Sequence, residues 1–443
     1  MSTFRVAIVG AGPAGYFSAQ ALQSHSSEKT TFKVDLFEKL PTPWGLVRSG
    51  VAPDHPKIKS VSKVFEKVSD DPNFRLFANV EIGKDIALYA LKNAYDAVII
   101  ATGTPMGRRL NIPGENLQNS WSSAEFVPWY NGHPSFENLK VDLSGKRAVV
   151  IGAGNVAMDV ARILAINPKE LEKTDIANHA LEKLCKSEIT EVWICARRGA
   201  EYASFTAPEL NELPEMASTS VMISPEDIES AKLNVEQNVN RHVRANLDVM
   251  EKMSGSVISK KNRVIVFRFS HVPIEIRGKN EVESVVFDTN HGRVEVAANV
   301  VVTAIGYQPD RKLGIQIEDN HLQNVEGFLS DNLYVVGWAR RGSSGVIGSN
   351  KSDAKHVVSK VVDSLRDSLP KNDSVVKKLL GNLSYVNLYD WRAINQHEIG
   401  LGIESGRPRV KFRRVKEMTD FLEERDKSGS LFRSSLQDDK LVP

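Results

Sequence analysis

Two glycine clusters, a lone glutamate and an arginine pair are the residues of this chain whose types and spacing suggest chemistry. The first cluster is Gly10-Ala-Gly12-Pro-Ala-Gly15, set directly after the apolar run FRVAIV (4–9) and ahead of a stretch of helical composition, Tyr16 to Leu22. In such a turn the first glycine permits a tight reversal, the second lets a pyrophosphate approach the backbone, and the third lets helix pack closely on strand. The phosphates then meet the free N–H groups and positive dipole end of the helix. Glycine turns are common, so the cluster alone says little. Glu38 ends the next apolar run, FKVDLFE (32–38), where an acid accepts hydrogen bonds from ribose hydroxyls.

The second cluster, Gly152-Ala-Gly154-Asn-Val-Ala157, follows RAVVI and opens into MDVARIL, with alanine in the third glycine's place. The strand after it, ITEVWICA (189–196), ends in Arg197-Arg198 instead of an acid. An acid there favours a free 2′-hydroxyl, whereas two guanidinium groups match a 2′-phosphate in charge and forked geometry. A solvated arginine pair on a loop is the plainer alternative. The contrast between Glu38 and the arginines points to two different dinucleotides, FAD at the first turn and NADPH at the second.

Two further blocks stand out. Residues 41–56, PTPWGLVRSGVAPDHP, hold four prolines and two glycines and read as a rigid loop, in which His55 is either functional or a satisfied polar residue. The block from Gly337 through Trp338 to Gly345 and Gly348 follows a strand, NLYVV, and leads into a helix whose N-terminus could face a flavin ring. Trp338 could equally be core packing.

Strand, turn, helix and strand, found twice, make the fold class α/β with two tandem Rossmann-like dinucleotide-binding domains. Short apolar runs at 95–104 and 300–310 look like crossovers between them. The expected layout is an FAD domain of 1–105 and 331–443 with the NADP domain, 106–330, inserted into it. Residues 215–260 are charged and Ser-rich without clear periodicity and are expected on the surface. A hydrophobic share of 41% with 25% charged residues excludes disorder and coiled coil. A net charge of +2 argues against nucleic acid as the main partner. Cys185 and Cys195 are too few and too far apart for a disulfide framework or zinc site, so no metal is expected. No apolar run reaches membrane-spanning length. The opening MSTFRVAIVG has no basic leader, so the chain is expected to be cytoplasmic, or from the mitochondrial matrix if it is a trimmed form.

Together the GxGPAG turn, the PxPxGLxRxGVAPDHP block, GAGNVAMDVARIL, ARRG and GWxxRGxxGVIGxN resemble the adrenodoxin reductase type of NADPH–ferredoxin reductases along essentially the whole chain. The resemblance implies FAD contacts from Ala14, Glu38, Leu46, Ile82, Trp338 and Gly345, Val346 and Ile347. It implies NADP contacts from Gly154, Asn155, Val156, Arg197, Arg198, Glu209 and Gly345. His55 and Asp159 match residues near the flavin and are the candidate catalytic pair. The chain departs from its relatives at Ser343-Ser344, where Pro-Thr is common, and the lack of a presequence suggests a bacterial-type member. The implied reaction is hydride transfer from NADPH to FAD, then single electrons to an acidic ferredoxin-type iron–sulfur protein, by a monomer. Arg340-Arg341 and the basic run RPRVKFRRVK (407–416) are the candidate docking residues. Three rival readings stay open at this point: a flavin monooxygenase, a dithiol reductase, and a non-catalytic flavin-binding sensor.

Overall fold

A computed structural model describes residues 2–235, 240–254 and 261–428, and in it the chain divides into two compact units. The first comprises residues up to 51, 56–105 and from 308 onward; the second comprises 52–55 and 106–307.

Unit one is built on a six-stranded sheet ordered Phe328–Ser330, Leu333–Val335, Ala97–Ile100, Ser2–Val9, Thr30–Glu38, Phe74–Ala78. All neighbours are parallel except the first pair. Helices cover both faces of such a sheet, so its strands read as continuous apolar runs. Val6, Ile8, Val34, Leu36 and Ile99 accordingly sit with Val357 and Val361 of the helix Ser349–Leu365 in one buried cluster. Strand order reverses between Ser2–Val9 and Ala97–Ile100, the position where open α/β sheets bind ligands beyond the strands' carboxyl ends. Gly10 lies at that end.

Unit two repeats the plan. Its parallel sheet runs Ser120–Ser122, Val300–Thr303, Arg147–Ile151, Glu191–Cys195, Arg263–Arg268, Thr219–Met222. A separate antiparallel sheet, Val272–Arg277, Ser284–Thr289 and Gly292–Ala297, packs on part of the same unit.

Two expectations need correction. Residues 308–330 belong with unit one and not with the NADP domain, because Phe328–Ser330 pairs with Leu333–Val335 and Leu322 is buried in that unit's core. The 215–260 region is not merely surface. Thr219–Met222 is a sheet strand, and the helices Pro225–Asn234 and Arg241–Ser254 bury Ile228, Ala231, Leu247, Met250 and Met253. Residues 236–239 and 255–260, and the chain beyond 428, lie outside the described residues.

Candidate dinucleotide sites

Gly10 leaves its strand with φ of +111°, and a Cβ there would stand 2.5 Å from the Ala101 carbonyl oxygen. A Cβ on Gly15 would overlap the Gly10 carbonyl oxygen, so helix Pro13–His25 packs against its own turn as closely as glycine allows. Gly12 differs. A Cβ there meets nothing within 4 Å, which leaves open space over the turn. Gly12 is also the N-cap of the helix, with no side chain capping it and no acid in the first turn. Those first-turn amides are the donors a pyrophosphate uses.

Glu38 is buried at the end of its strand. One carboxylate oxygen accepts the Ala11 N–H at 3.0 Å and the other accepts the Leu40 N–H at 3.1 Å. The Lys39 amide also contributes, and of the roughly four acceptor positions of a carboxylate one is left for a ribose hydroxyl. Burial pushes the Glu38 carboxyl up, and the Ala11, Leu40 and Lys39 amides and the Lys39 charge pull the other way. The residues therefore fit FAD: a cradle over Gly12, uncapped amides, and an acceptor for a ribose. Ala14 is buried on the first turn, and Ile82 lies in the core of the segment that follows Phe74–Ala78.

The second flavin block turns at Gly337, φ +70°, where a Cβ would come within 2.6 Å of the Ala14 Cβ. Asp353, from the helix Ser349–Leu365, accepts the Gly337 N–H at 2.5 Å and holds Arg340 at 2.5 Å and Arg341 at 3.3 Å. Trp338 is half-buried and donates its Nε1–H to the Ser344 carbonyl at 3.0 Å, fixing the Ser343-Ser344 turn. Gly345 has φ of +79°, Ile347 packs against the core, and Val346 is 69% exposed. Leu46 is likewise 44% exposed. Large apolar side chains left outside a core suit contact with a planar ring.

In unit two, Gly152 leaves Arg147–Ile151 with φ of +139°, and Gly154 caps the helix Asn155–Ala165 without side-chain help. Asn155 Oδ1 accepts the Thr206 N–H at 2.9 Å, tying the turn to the next loop, while Val156 is partly buried. Arg197 and Arg198 are exposed at the end of Glu191–Cys195. Among the described residues neither forms an ion pair with a carboxylate, and Arg198 stacks on Tyr202, 4.5 Å from the ring centre. Two unneutralised guanidinium groups beyond an uncapped helix turn fit a dinucleotide with a 2′-phosphate.

Comparisons with known proteins agree. The pyridine nucleotide-disulphide oxidoreductase family pattern matches residues 4–195. The NADPH-ferredoxin reductase FprA of Mycobacterium tuberculosis is 42% identical over 94% of this chain and 99% of its own length. The mitochondrial NADPH:adrenodoxin oxidoreductase of Bos taurus is 33% identical over 95% and 92%. The solved structure of Mycobacterium tuberculosis FprA in complex with NADPH superposes with a TM-score of 0.90 at 41% identity, covering 94% of this chain and 98% of that one. The chain belongs to the NADPH–ferredoxin reductase family.

Within this family member, the candidate catalytic pair sits in a charged cluster of unit two that the sequence reading did not assemble. His55 Nε2 lies 2.9 Å from Glu212 and Nδ1 lies 3.8 Å from Asp159. Arg162 pairs with Asp159 at 2.5 Å, with Asp54, and with Glu212 at 3.7 Å. Arg162 is one helical turn from Asp159, and Asp54 precedes His55, so both were within reach of a spacing argument. Glu212 was not. Ligand atoms of His55, Glu209 and Glu212 come within 4.8 Å of one another, and the Arg162 guanidinium already stands 3.7 Å from Glu212.

Burial pushes the Glu209 carboxyl above its ordinary range; Glu212 adds to this, and His55 and Arg162 oppose it. Its ionisation therefore costs stability at neutral pH, a cost absent in acid where folded and unfolded forms both hold the proton. Glu209→Gln should melt a few degrees above the parent at pH 8, with the gap closing toward pH 4. A gap that widens in acid would contradict this assignment.

Two readings change. Arg340 and Arg341 serve Asp353, Ser349 and Asn350 within the fold and are not a free docking face. In the 407–416 run, Arg409 and Lys411 turn inward and Arg414 pairs with Glu417. The dithiol rival falls as well. Cys195 is buried in the unit-two sheet with its thiol pushed up by burial, and Cys185 is an exposed free thiol on a helix end.

Proposed function

We propose that this chain is an FAD-dependent NADPH–ferredoxin reductase. The carrying observation is the 42% identity with an NADPH-ferredoxin reductase across 94% of the chain. FAD, when bound, takes a hydride from NADPH and returns electrons singly, which a one-electron iron–sulfur partner requires. The Gly10–Gly15 turn would hold the FAD pyrophosphate and Glu38 its ribose, with Leu46, Ile82, Trp338 and residues 345–347 toward the flavin. Gly152, Gly154, Asn155 and Val156 would hold the NADPH pyrophosphate, and Arg197 with Arg198 the 2′-phosphate. His55, between Asp159 and Glu212, would hold a proton at Nδ1 or Nε2, with Glu209 lining the same cluster.

The partner proposed is an acidic ferredoxin, met by a monomer in the cytoplasm. Exposed Lys57, Ile58 and Lys63 follow directly on the 41–56 loop and support an acidic partner docking there. Such steering is screened within about 8–10 Å at physiological salt.

The purified protein is expected to be yellow, with one FAD per chain released by heat and identified by chromatography. With NADPH it should reduce an acidic ferredoxin, followed at the ferredoxin's own absorbance, at a rate that falls steeply with salt. Ferricyanide, which needs no docking, should not share that dependence. FMN in place of FAD, or ferredoxin left oxidised while ferricyanide is consumed, would sink the reading.

A further inference from the structure

Arginine is rarely buried unless paired, yet the Arg48 side chain in the 41–56 loop is only 7% exposed. Its partner comes from the other end of the chain. Glu398, 0% exposed in the helix Leu388–Glu404, accepts from Arg48 Nη1 at 2.7 Å and Nη2 at 2.5 Å, a forked pairing that fixes orientation as well as distance. The same carboxylate accepts the Phe412 N–H at 2.9 Å and lies 3.4 Å from Arg409. Burial pushes the Glu398 carboxyl up, and Arg48 followed by Arg409 overcomes this, so it is held below the usual carboxylate range. Lys411 Nζ donates to the Arg48 carbonyl at 3.1 Å. Trp44 and Trp391 meet edge to face at 5.0 Å, and Arg48 and Arg409 lie against these two rings.

The other side of this assembly is the first glycine turn. Trp44 donates its N–H to the Ala11 carbonyl at 2.7 Å, and Arg48 N–H donates to the Gly45 carbonyl at 3.1 Å. A Cβ on Gly45 would stand 3.0 Å from Gly12 Cα, so the loop lies directly against the pyrophosphate turn. Trp44 has φ of +84°, a conformation a bulky residue keeps only where its surroundings dictate it. Gly45 follows at +52°. Glycine takes that region freely, but something must hold Trp44 in it, and the only forked charge pair on the one-turn helix Leu46–Ser49, among the described residues, is Arg48 with Glu398.

We propose that Glu398 is a positioning residue of the flavin site. Its carboxylate fixes Arg48, Arg48 fixes the turn Leu46–Ser49, and that turn holds Trp44-Gly45-Leu46 against Ala11-Gly12 in the geometry that retains FAD. The inference rests on the FAD reading of unit one and adds to it a residue from the C-terminal helices that touches no cofactor.

The test replaces both charges together, Arg48→Met with Glu398→Gln, since removing one partner leaves the other buried and uncompensated; Arg409 keeps Asn395 Oδ1 at 2.7 Å, and Glu398→Gln leaves an amide oxygen beside it. FAD affinity is measured by rebinding to apoprotein, alongside the visible flavin spectrum at saturating FAD and the melting temperature of the apoprotein. The expected result is apoprotein melting close to the parent, an altered flavin band, and FAD affinity weakened about tenfold, mid-range for residues coupled through one hydrogen-bond network. A folded double variant with parental affinity and spectrum overturns the proposal. So does an affinity loss matched by a parallel fall in apoprotein melting with an unchanged spectrum, the pattern of a merely structural pair. If the double variant does not fold, Glu398→Asp, which keeps the charge but draws it back by one methylene, decides in the same way. A parent that carries no FAD would defeat the flavin reading itself, a result separable from all of these.

Discussion

Changing Arg197 and Arg198 together to alanine should raise the KM for NADPH by tenfold to a hundredfold and leave the KM for NADH nearly where it was. Both side chains are exposed at the end of Glu191–Cys195, so each is free to reach a phosphate but is also hydrated beforehand. A hydrogen bond to a charged group is worth about 1.5–3 kcal/mol when desolvated, and the exposure here places each arginine toward the lower end. Two such contacts still exceed one factor of ten, at about 1.4 kcal/mol per decade. Arg198 also stacks on Tyr202, so Arg198→Lys should lose more than its conserved charge suggests. The measurement is steady-state reduction of ferricyanide with each nucleotide at low and moderate salt. Equal losses for NADPH and NADH would mean that the arginines hold the loop and do not read the 2′-phosphate.

The arginine pair was legible because it follows a strand buried on both faces, and such strands appear in a sequence as unbroken apolar runs. FRVAIV, FKVDLFE, RAVVI and the core of ITEVWICA were all placed on that ground and are all sheet strands. The turns were legible for a different reason: steric room near Gly10, Gly15 and Gly152 is so limited that glycine is required. Helix Arg241–Ser254 was not legible. It buries Asn246, Leu247, Met250 and Met253 along one narrow stripe, and the charged residues between them hide the period. The boundary near 330 was misplaced because Phe328–Ser330 is a three-residue strand with a bulged register and little apolar signal. Glu212 and Glu398 reach their partners from 157 and 350 residues away, and no local spacing announces such a meeting. Arg340 and Arg341 show the converse. A basic pair reads as a surface in a sequence, and only the buried Asp353 reveals that it is spent inside the fold.

Gly12→Ala and Gly15→Ala should separate what the first turn does for the cofactor from what it does for the fold. At Gly12 the backbone is extended, φ −84° and ψ −174°, which alanine adopts without strain, and the added methyl meets no protein atom within 4 Å. Its apoprotein should therefore melt within a few degrees of the parent. The methyl does fill the space through which a pyrophosphate would approach the amides at the start of Pro13–His25. Losing one or two charge-assisted contacts of about 1.5–3 kcal/mol each corresponds to a hold on FAD weakened from about tenfold to about ten-thousandfold, so the protein should purify pale or colourless. At Gly15 the methyl would overlap the Gly10 carbonyl oxygen and press on Leu36 Cδ1 at 3.3 Å, both part of a packed interior. Overpacking of this kind costs about 1–3 kcal/mol. The helix can make room only by lifting from the strand, which would move the same amides. Gly15→Ala should thus lose stability and FAD together, where Gly12→Ala loses FAD alone. Melting curves of the two apoproteins, with FAD titrated back by its fluorescence, distinguish the cases. A Gly12→Ala protein that purifies yellow with parental affinity would mean the pyrophosphate lies elsewhere than over this turn.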